Sequence, residues 1–148
     1  ILTNLILEAI LGRSSLLYED LYEQGLVDDR FSFNYEGQRD YGYCALGGET
    51  RDPEALNKEL TKSISECVRE GISPRDFERI KKRYQGDFIQ GFNSPEFIAS
   101  SFVAYNHKNI NIFDYLRALD EITLEEANQR SNAILELSRH CISTVLPK

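Results

Sequence analysis

The sequence predicts an α+β domain, an antiparallel β-sheet with helices packed on one face. Three observations carry this. Helix starts that pair a capping side chain with proline recur at Asp52-Pro53, Ser73-Pro74 and Ser94-Pro95, and proline's fixed φ suits the first helical position. Two runs, at 31–36 and 41–45, alternate apolar and polar residues with the period of half-buried strands. A final run, 141–146, is apolar on both faces, as a central strand is.

Taken in order, Leu2, Leu5, Ile6, Ala9 and Ile10 give the first helix a wide apolar face, suited to burial against the sheet. Gly12 marks a bend. Ser14 or Ser15 then caps a second helical piece in which Leu17, Leu21 and Tyr18, Tyr22 recur at helical spacing. Gly25 supplies a positive φ to stop it, with Leu26 and Val27 folding back over the last turn. Phe31, Phe33 and Tyr35 form the inner face of one strand, Gly37 and Gln38 the turn, and Tyr41, Tyr43 and Ala45 repeat the alternation up to Gly47-Gly48.

The next helix runs from the Asp52 cap to the Gly71 stop along Leu56, Leu60, Ile64, Cys67 and Val68. Another, from Ser73 to Gly91, buries Phe77, Ile80, Tyr84 and Phe88 and loads its other face with Arg79, Lys81, Lys82 and Arg83. Ile98, Phe102 and Tyr105 carry a helix to about residue 106, and a short one spans 114–119. Thr123 with Glu126 is a capping box before the last helix, with Ala127, Ile134 and Leu135 on its apolar side. The strand at 141–146, closed by Pro147, must pair with the hairpin or with strands elsewhere, because a lone strand forms no sheet.

The 148 residues, 41% hydrophobic and 28% charged, fit one domain spanning 1–148. A formal net charge of −7 opposes a phosphate-binding surface, so nucleic acid is not an expected partner. Cys44, Cys67 and Cys141 are odd in number and scattered, which points to buried thiols in a reducing compartment and to a cytoplasmic location. The run 1–11 is apolar but broken by Asn4 and Glu8 and too short to span a bilayer, so no membrane partner is expected. The chain starts inside a helical pattern at Ile1 and has no methionine, which predicts a piece of a larger polypeptide.

Few residues offer chemistry. His107 and His140, the two histidines, lack further ligands at helical or hairpin spacing, and no His-Glu-x-x-His or inverted form occurs. The serine pairs 14–15 and 100–101 lack a nucleophile-elbow context. Gly47-Gly48-Glu49-Thr50 lacks the lysine and glycine spacing of a phosphate loop. The polar cluster with a plausible task is acidic, Asp20, Glu23, Asp28 and Asp29, which either presents carboxylates to a basic substrate or is a solvated helix face. No residue is assigned a catalytic or metal-binding role.

The segment GRSSLLYEDLYEQGLVDD, the following FSFNYEG strand, the GGET end, the SPRDFERIKKRYQGDFIQGFNSPEFIASSF double helix and the closing RHCISTVLP together resemble the insulinase/pitrilysin-type zinc metallopeptidases. The resemblance is closest to the C-terminal, non-zinc-binding repeat of processing-peptidase-like members, and it covers nearly the whole chain. It implies a metallohydrolase-like fold, paired with a companion N-terminal repeat around a chamber that captures unfolded peptide. That companion carries the inverted zinc motif, where the metal polarises the scissile carbonyl. This chain alone is then expected to hold no cofactor and cleave nothing, with zinc in the N-terminal repeat of the parent.

In active relatives the resemblance implies an arginine at the end of the helix 16–23 and a tyrosine at the start of the next strand, donors that hold substrate and oxyanion. Tyr22 stands at the first place and residues 27–29 at the second. Two functions follow. One is a substrate-chamber domain of a zinc-dependent peptidase, with Tyr22, Asp28 and Asp29 contacting peptide and the strand edge 30–36 receiving it by strand addition. The other is a non-catalytic structural and interaction domain. Either admits a homo-oligomeric parent.

Overall fold

A computed structural model describes residues 1–38 and 40–146. In chain order they form α1 (Leu2–Leu11), α2 (Leu16–Glu23), β1 (Ser32–Gly37), β2 (Gly42–Gly47), α3 (Pro53–Glu70), α4 (Pro74–Gly91) and α5 (Pro95–His107). A single 3-10 turn at Ile112–Asp114 leads into α6 (Tyr115–Glu121), followed by α7 (Leu124–Ile134) and a second 3-10 turn at Leu137–Arg139.

The core forms around α1. Leu5, Ile6 and Leu7 have no exposed surface, and Ile10 and Leu11 have almost none. Three consecutive buried residues point in directions about 100° apart, so the helix is covered on most sides rather than on one face. Its neighbours are α4, α7, α2 and β1, and helices therefore dominate the packing that the sequence assigned to a sheet. α4 meets one polar break of α1 through its side chain, Glu8, and the other, exposed Asn4, through its backbone. Arg83 pairs with Glu8 at 2.9 Å, and the Tyr84 hydroxyl donates to the Asn4 carbonyl at 3.3 Å.

The helix starts form as the sequence predicts. Asp52 accepts the Ala55 N–H at 3.0 Å, Ser73 the Asp76 N–H at 3.1 Å, and Ser94 the Phe97 N–H at 3.3 Å. Thr123 and Glu126 close a full capping box. Gly71 ends α3 at a φ of 80°, a conformation costly for any residue with a Cβ.

The sheet described is two-stranded and antiparallel, with Phe33 opposite Leu46 and Tyr35 opposite Cys44. Helices cover one face of it. Phe33, Tyr35 and Cys44 pack on the core and Leu46 shares their face while staying 38% exposed, whereas Tyr41, Tyr43 and Ala45 are exposed on the other face. The inner side of the return strand is thus Cys44 and Leu46. Alternation alone does not say which of two alternating sets faces inward. The connection is wider than the Gly37-Gln38 turn expected, and closes where the Gln38 N–H donates to the Tyr41 carbonyl at 2.8 Å.

The strand expected at 141–146 does not form. The segment has no ladder partner among the described residues, and Ile142, Val145 and Leu146 are exposed. Its apolar pattern specifies a preference for burial, but a strand exists only where another strand supplies hydrogen bonds. Pro147, expected to close it, lies outside the described residues.

Of the positive side chains that load the other face of α4, Arg83 stays exposed while pairing with Glu8, but Lys81 turns inward: it is buried and donates to the Asp120 and Ile122 carbonyls at 3.0 and 2.9 Å. These are the open acceptors at the C-terminus of α6, which has no basic residue in its own last turn. Nearby, Tyr115 stacks on Phe88 at 4.4 Å, and burial pushes its hydroxyl pKa up to about 12.

Two stability outcomes follow. Leu5→Ala should lower unfolding free energy by about 2–5 kcal/mol in urea denaturation, because a fully enclosed site collapses poorly around a cavity. Lys81→Met, which keeps the apolar stem and strands two carbonyls, should cost about 1–3 kcal/mol in the same assay.

Candidate functional site

Helix α2 is held at both ends. Of the two serines that could cap it, Ser15 does so, accepting the Tyr18 N–H at 3.1 Å, while Ser14 accepts from Arg79 of α4 at 2.9 Å. At the other end Gly25 adopts a φ of 67°. Its N–H donates to the Tyr22 carbonyl at 2.9 Å and the Leu26 N–H to the Leu21 carbonyl at 3.0 Å, the paired bonds of a Schellman stop. Leu17, Tyr18 and Leu21 are buried, which directs Tyr22 outward. It is 55% exposed and stacks on Tyr18 with ring centroids 6.0 Å apart.

An open cleft of about 560 Å³ lies along this helix, lined by Arg13, Ser14, Ser15, Tyr18, Tyr22 and two glutamates, Glu19 and Glu23. The loop 26–31 is tied to its rim. The Tyr18 hydroxyl donates to the Asp28 carbonyl at 3.2 Å, and Arg13 donates to the Asp29 carbonyl at 2.5 Å. Tyr22 lines the cleft itself, whereas Asp28 and Asp29, beyond the end of α2, do not line it and are joined to it through the backbone carbonyls that Tyr18 and Arg13 hold.

The side chain of Asp28 is already engaged. Its Oδ1 accepts the Arg30 N–H at 2.9 Å and its Oδ2 accepts from the Arg30 guanidinium at 2.6 Å. The Arg30 guanidinium also reaches Glu49 at 2.5 Å, so it bridges the loop to the segment after β2. Hydrogen bonding to the Arg30 side chain and backbone holds the Asp28 carboxyl below its ordinary pKa. Sequence reasoning missed Arg13, Tyr18 and Arg30 as the residues that assemble this rim. The Asp28-x-Arg30 spacing carried a signal, since an aspartate commonly accepts the N–H two residues on. Nothing local marked the reach of Arg13 across 16 positions.

A larger open cleft of about 690 Å³ lies between the end of α3 and α7 and shares no lining residue with the first. One of its amides, Asn128, accepts the Ile72 N–H at 2.8 Å and serves that joint.

The sequence profile of the family described as "Peptidase M16 inactive domain" matches residues 1–84. The chain belongs to that family. Its resemblance to the non-zinc-binding repeat of insulinase/pitrilysin-type peptidases, read from motif order, agrees with this. The "Uncharacterized zinc protease YmfH" of Bacillus subtilis (strain 168) is 34% identical over 145 residues, which cover 98% of this chain and 34% of YmfH. The chain thus spans about a third of the length of the curated relative it matches.

Among solved structures, one assigned as an M16-like peptidase from Alicyclobacillus acidocaldarius superposes with a TM-score of 0.81 at 28% identity, covering 88% of this chain and 31% of that one. The inactive peptidase domain of a protein assigned as a zinc protease from Bordetella parapertussis gives a TM-score of 0.81 at 17% identity, over 99% of this chain and 83% of that one. The latter likeness speaks for the fold alone.

The M16 family implies zinc, and the donors present here do not fit it. Among the described residues no group of three or more His, Cys, Asp or Glu side chains is placed to hold a metal ion. Cys44 and Cys67 are half-buried, and burial pushes both thiol pKa values up. Cys141 is exposed, which corrects the expectation of three buried thiols. No described helix is long and apolar enough to cross a membrane.

The Asp28–Arg30 lock makes a pH-dependent contribution with a defined sign. Because the folded carboxyl titrates below the ordinary value near ~3.9, the lock stabilises the chain above that range and is lost as pH falls through the folded pKa. In acid unfolding followed by circular dichroism, Asp28→Asn should be less stable than wild type at neutral pH, and the gap should close below about pH 4.

Proposed function

We propose that the chain is the substrate-chamber domain of a zinc-dependent metallopeptidase acting on unfolded peptides. It is one domain of a longer protein whose companion N-terminal repeat carries the zinc. The observation that carries this reading is the fixed, outward Tyr22 on a helix clamped at both ends, in a cleft where Tyr18 and Arg13 also hold the backbone carbonyls of Asp28 and Asp29. An exposed aromatic ring held without freedom to lose is a good contact for a flexible ligand.

In this reading Tyr22 and the Asp29 carboxylate contact peptide, and Asp28 keeps the rim in shape through Arg30. β1 has an unpaired outer edge among the described residues, and a peptide strand added there would run alongside that rim. The kinship to a zinc protease three times as long supports a parent with a second repeat.

A second reading is favoured by one observation. Tyr22 and residues 27–29 occupy the positions where active relatives are expected to place an arginine and a tyrosine, which suits a structural and interaction domain without proteolytic activity. The sequence of the companion repeat separates the two, since an intact inverted zinc motif supports the first and its absence the second.

The chamber itself is tested by titrating unstructured peptides against the full-length protein. Tyr22→Ala and Asp29→Ala should each weaken binding by up to about tenfold, or about 1.4 kcal/mol. Affinities unchanged in both variants would remove the α2 cleft from the binding surface.

A further inference from the structure

The surface of α5 is at odds with its surroundings. In a chain that is 28% charged, these 13 residues include one carboxylate, Glu96, and no lysine or arginine. None of them is buried. The side that meets the rest of the chain is Phe97, Ser101 and Tyr105, all half-buried. Phe97 rests on Phe88 and Phe92 at 6.3 and 6.0 Å, and Tyr105 on Tyr115 at 6.5 Å. This inner stripe replaces the one expected from Ile98, Phe102 and Tyr105.

The other side is apolar too. Ile98, Phe102 and Val103 are 38%, 54% and 55% exposed, and they lie on one arc with Ala99 at helical spacing. Phe113, in the 3-10 turn that packs against α5, is also exposed and stacks on Phe92 at 6.1 Å. A contiguous apolar surface depleted of charge is the composition of a buried interface centre, not of a solvated helix.

We propose that this outer face of α5, with Phe113 at its base, docks on the companion repeat of the same polypeptide. The proposal rests on the two-repeat reading above and adds to it the surface that joins the lobes. The length of chain outside the match points to this occupant. The matched region is 34% of YmfH and 31% of the Alicyclobacillus M16-like peptidase, so about two thirds of each relative lies beyond it. A lobe on the same polypeptide meets the patch at a high effective concentration.

The test uses the full-length protein with a photo-crosslinking benzophenone side chain installed at Phe102, and a control with the same group at exposed Glu54. After irradiation, mass spectrometry of the digested protein should show the Phe102 adduct on a peptide of the same molecule outside residues 1–148. Mixing isotope-labelled and unlabelled protein separates adducts within a molecule from those between copies. Adducts confined to residues 1–148, adducts between copies, or a yield no higher than at Glu54 overturn the proposal. The peptide titration with Tyr22→Ala, run on the same preparation, reports on the chamber independently. Normal peptide binding with no adduct therefore sinks the docking face alone. As a second arm, Val103→Asp should raise deuterium uptake across residues 95–107, and unchanged uptake also counts against docking.

Discussion

The near-complete enclosure of α1 is the constraint on which the rest depends. Removing a leucine or isoleucine side chain from water stabilises a fold by about 1.5–3 kcal/mol, and Leu5, Ile6 and Leu7 leave α1 only a narrow side, around Asn4, open to water. Other elements must close around it, which α4, α7, α2 and β1 do. The polar residue that this enclosure half-buries, Glu8, would be costly alone. Arg83 answers it with a charge-assisted bond, so the same helix that supplies Ile80 to the core also neutralises the one carboxylate beside it.

The candidate site inherits its rigidity from that arrangement. α2 follows α1 after a few residues, and its inner side is pinned by Leu17, Tyr18 and Leu21. Ser14, between the two helices, is gripped by Arg79 of α4. Loop 26–31 has Val27 and Phe31 sunk in the core, while Tyr18 and Arg13 fix the carbonyls between them. Tyr22 is therefore exposed without being loose, since its backbone lies in a capped helix and its ring lies against Tyr18. A ligand contact built this way loses little freedom when it is used.

What was legible in the sequence is what is decided locally. The caps at Ser15, Asp52, Ser73, Ser94 and Thr123 and the stops at Gly25 and Gly71 depend on neighbours within a few residues, and all formed. What escaped was decided at a distance. The strand at 141–146 needed a partner that no local pattern can guarantee. The inner face of β2 is Cys44 and Leu46 because Tyr35 and Phe33 lie across from them, a choice that the larger tyrosines disguised. Lys81 was counted as surface because its acceptors lie about 40 residues on, at the end of α6. Of the site, Tyr22, Asp28 and Asp29 were named from order in the sequence, but the arginines that hold the rim were not, because each acts through a turn or a fold-level contact.

The chemistry that this rim offers is holding rather than reacting. Stabilising an oxyanion requires hydrogen-bond donors with nothing else to bind, and the strongest donors here are committed. Arg30 is shared between Asp28 and Glu49, and Arg13 donates to the Asp29 carbonyl. The other groups lining the cleft are two serine hydroxyls, the carboxylates of Glu19 and Glu23, and two phenols, of which Tyr18 already donates to the Asp28 carbonyl, a set suited to a peptide's N–H groups, basic side chains and apolar stems. A guanidinium at position 22 would have brought a free donor to the same place. With tyrosine there, α2 offers the cleft a phenol and two glutamates and no free cationic donor of its own.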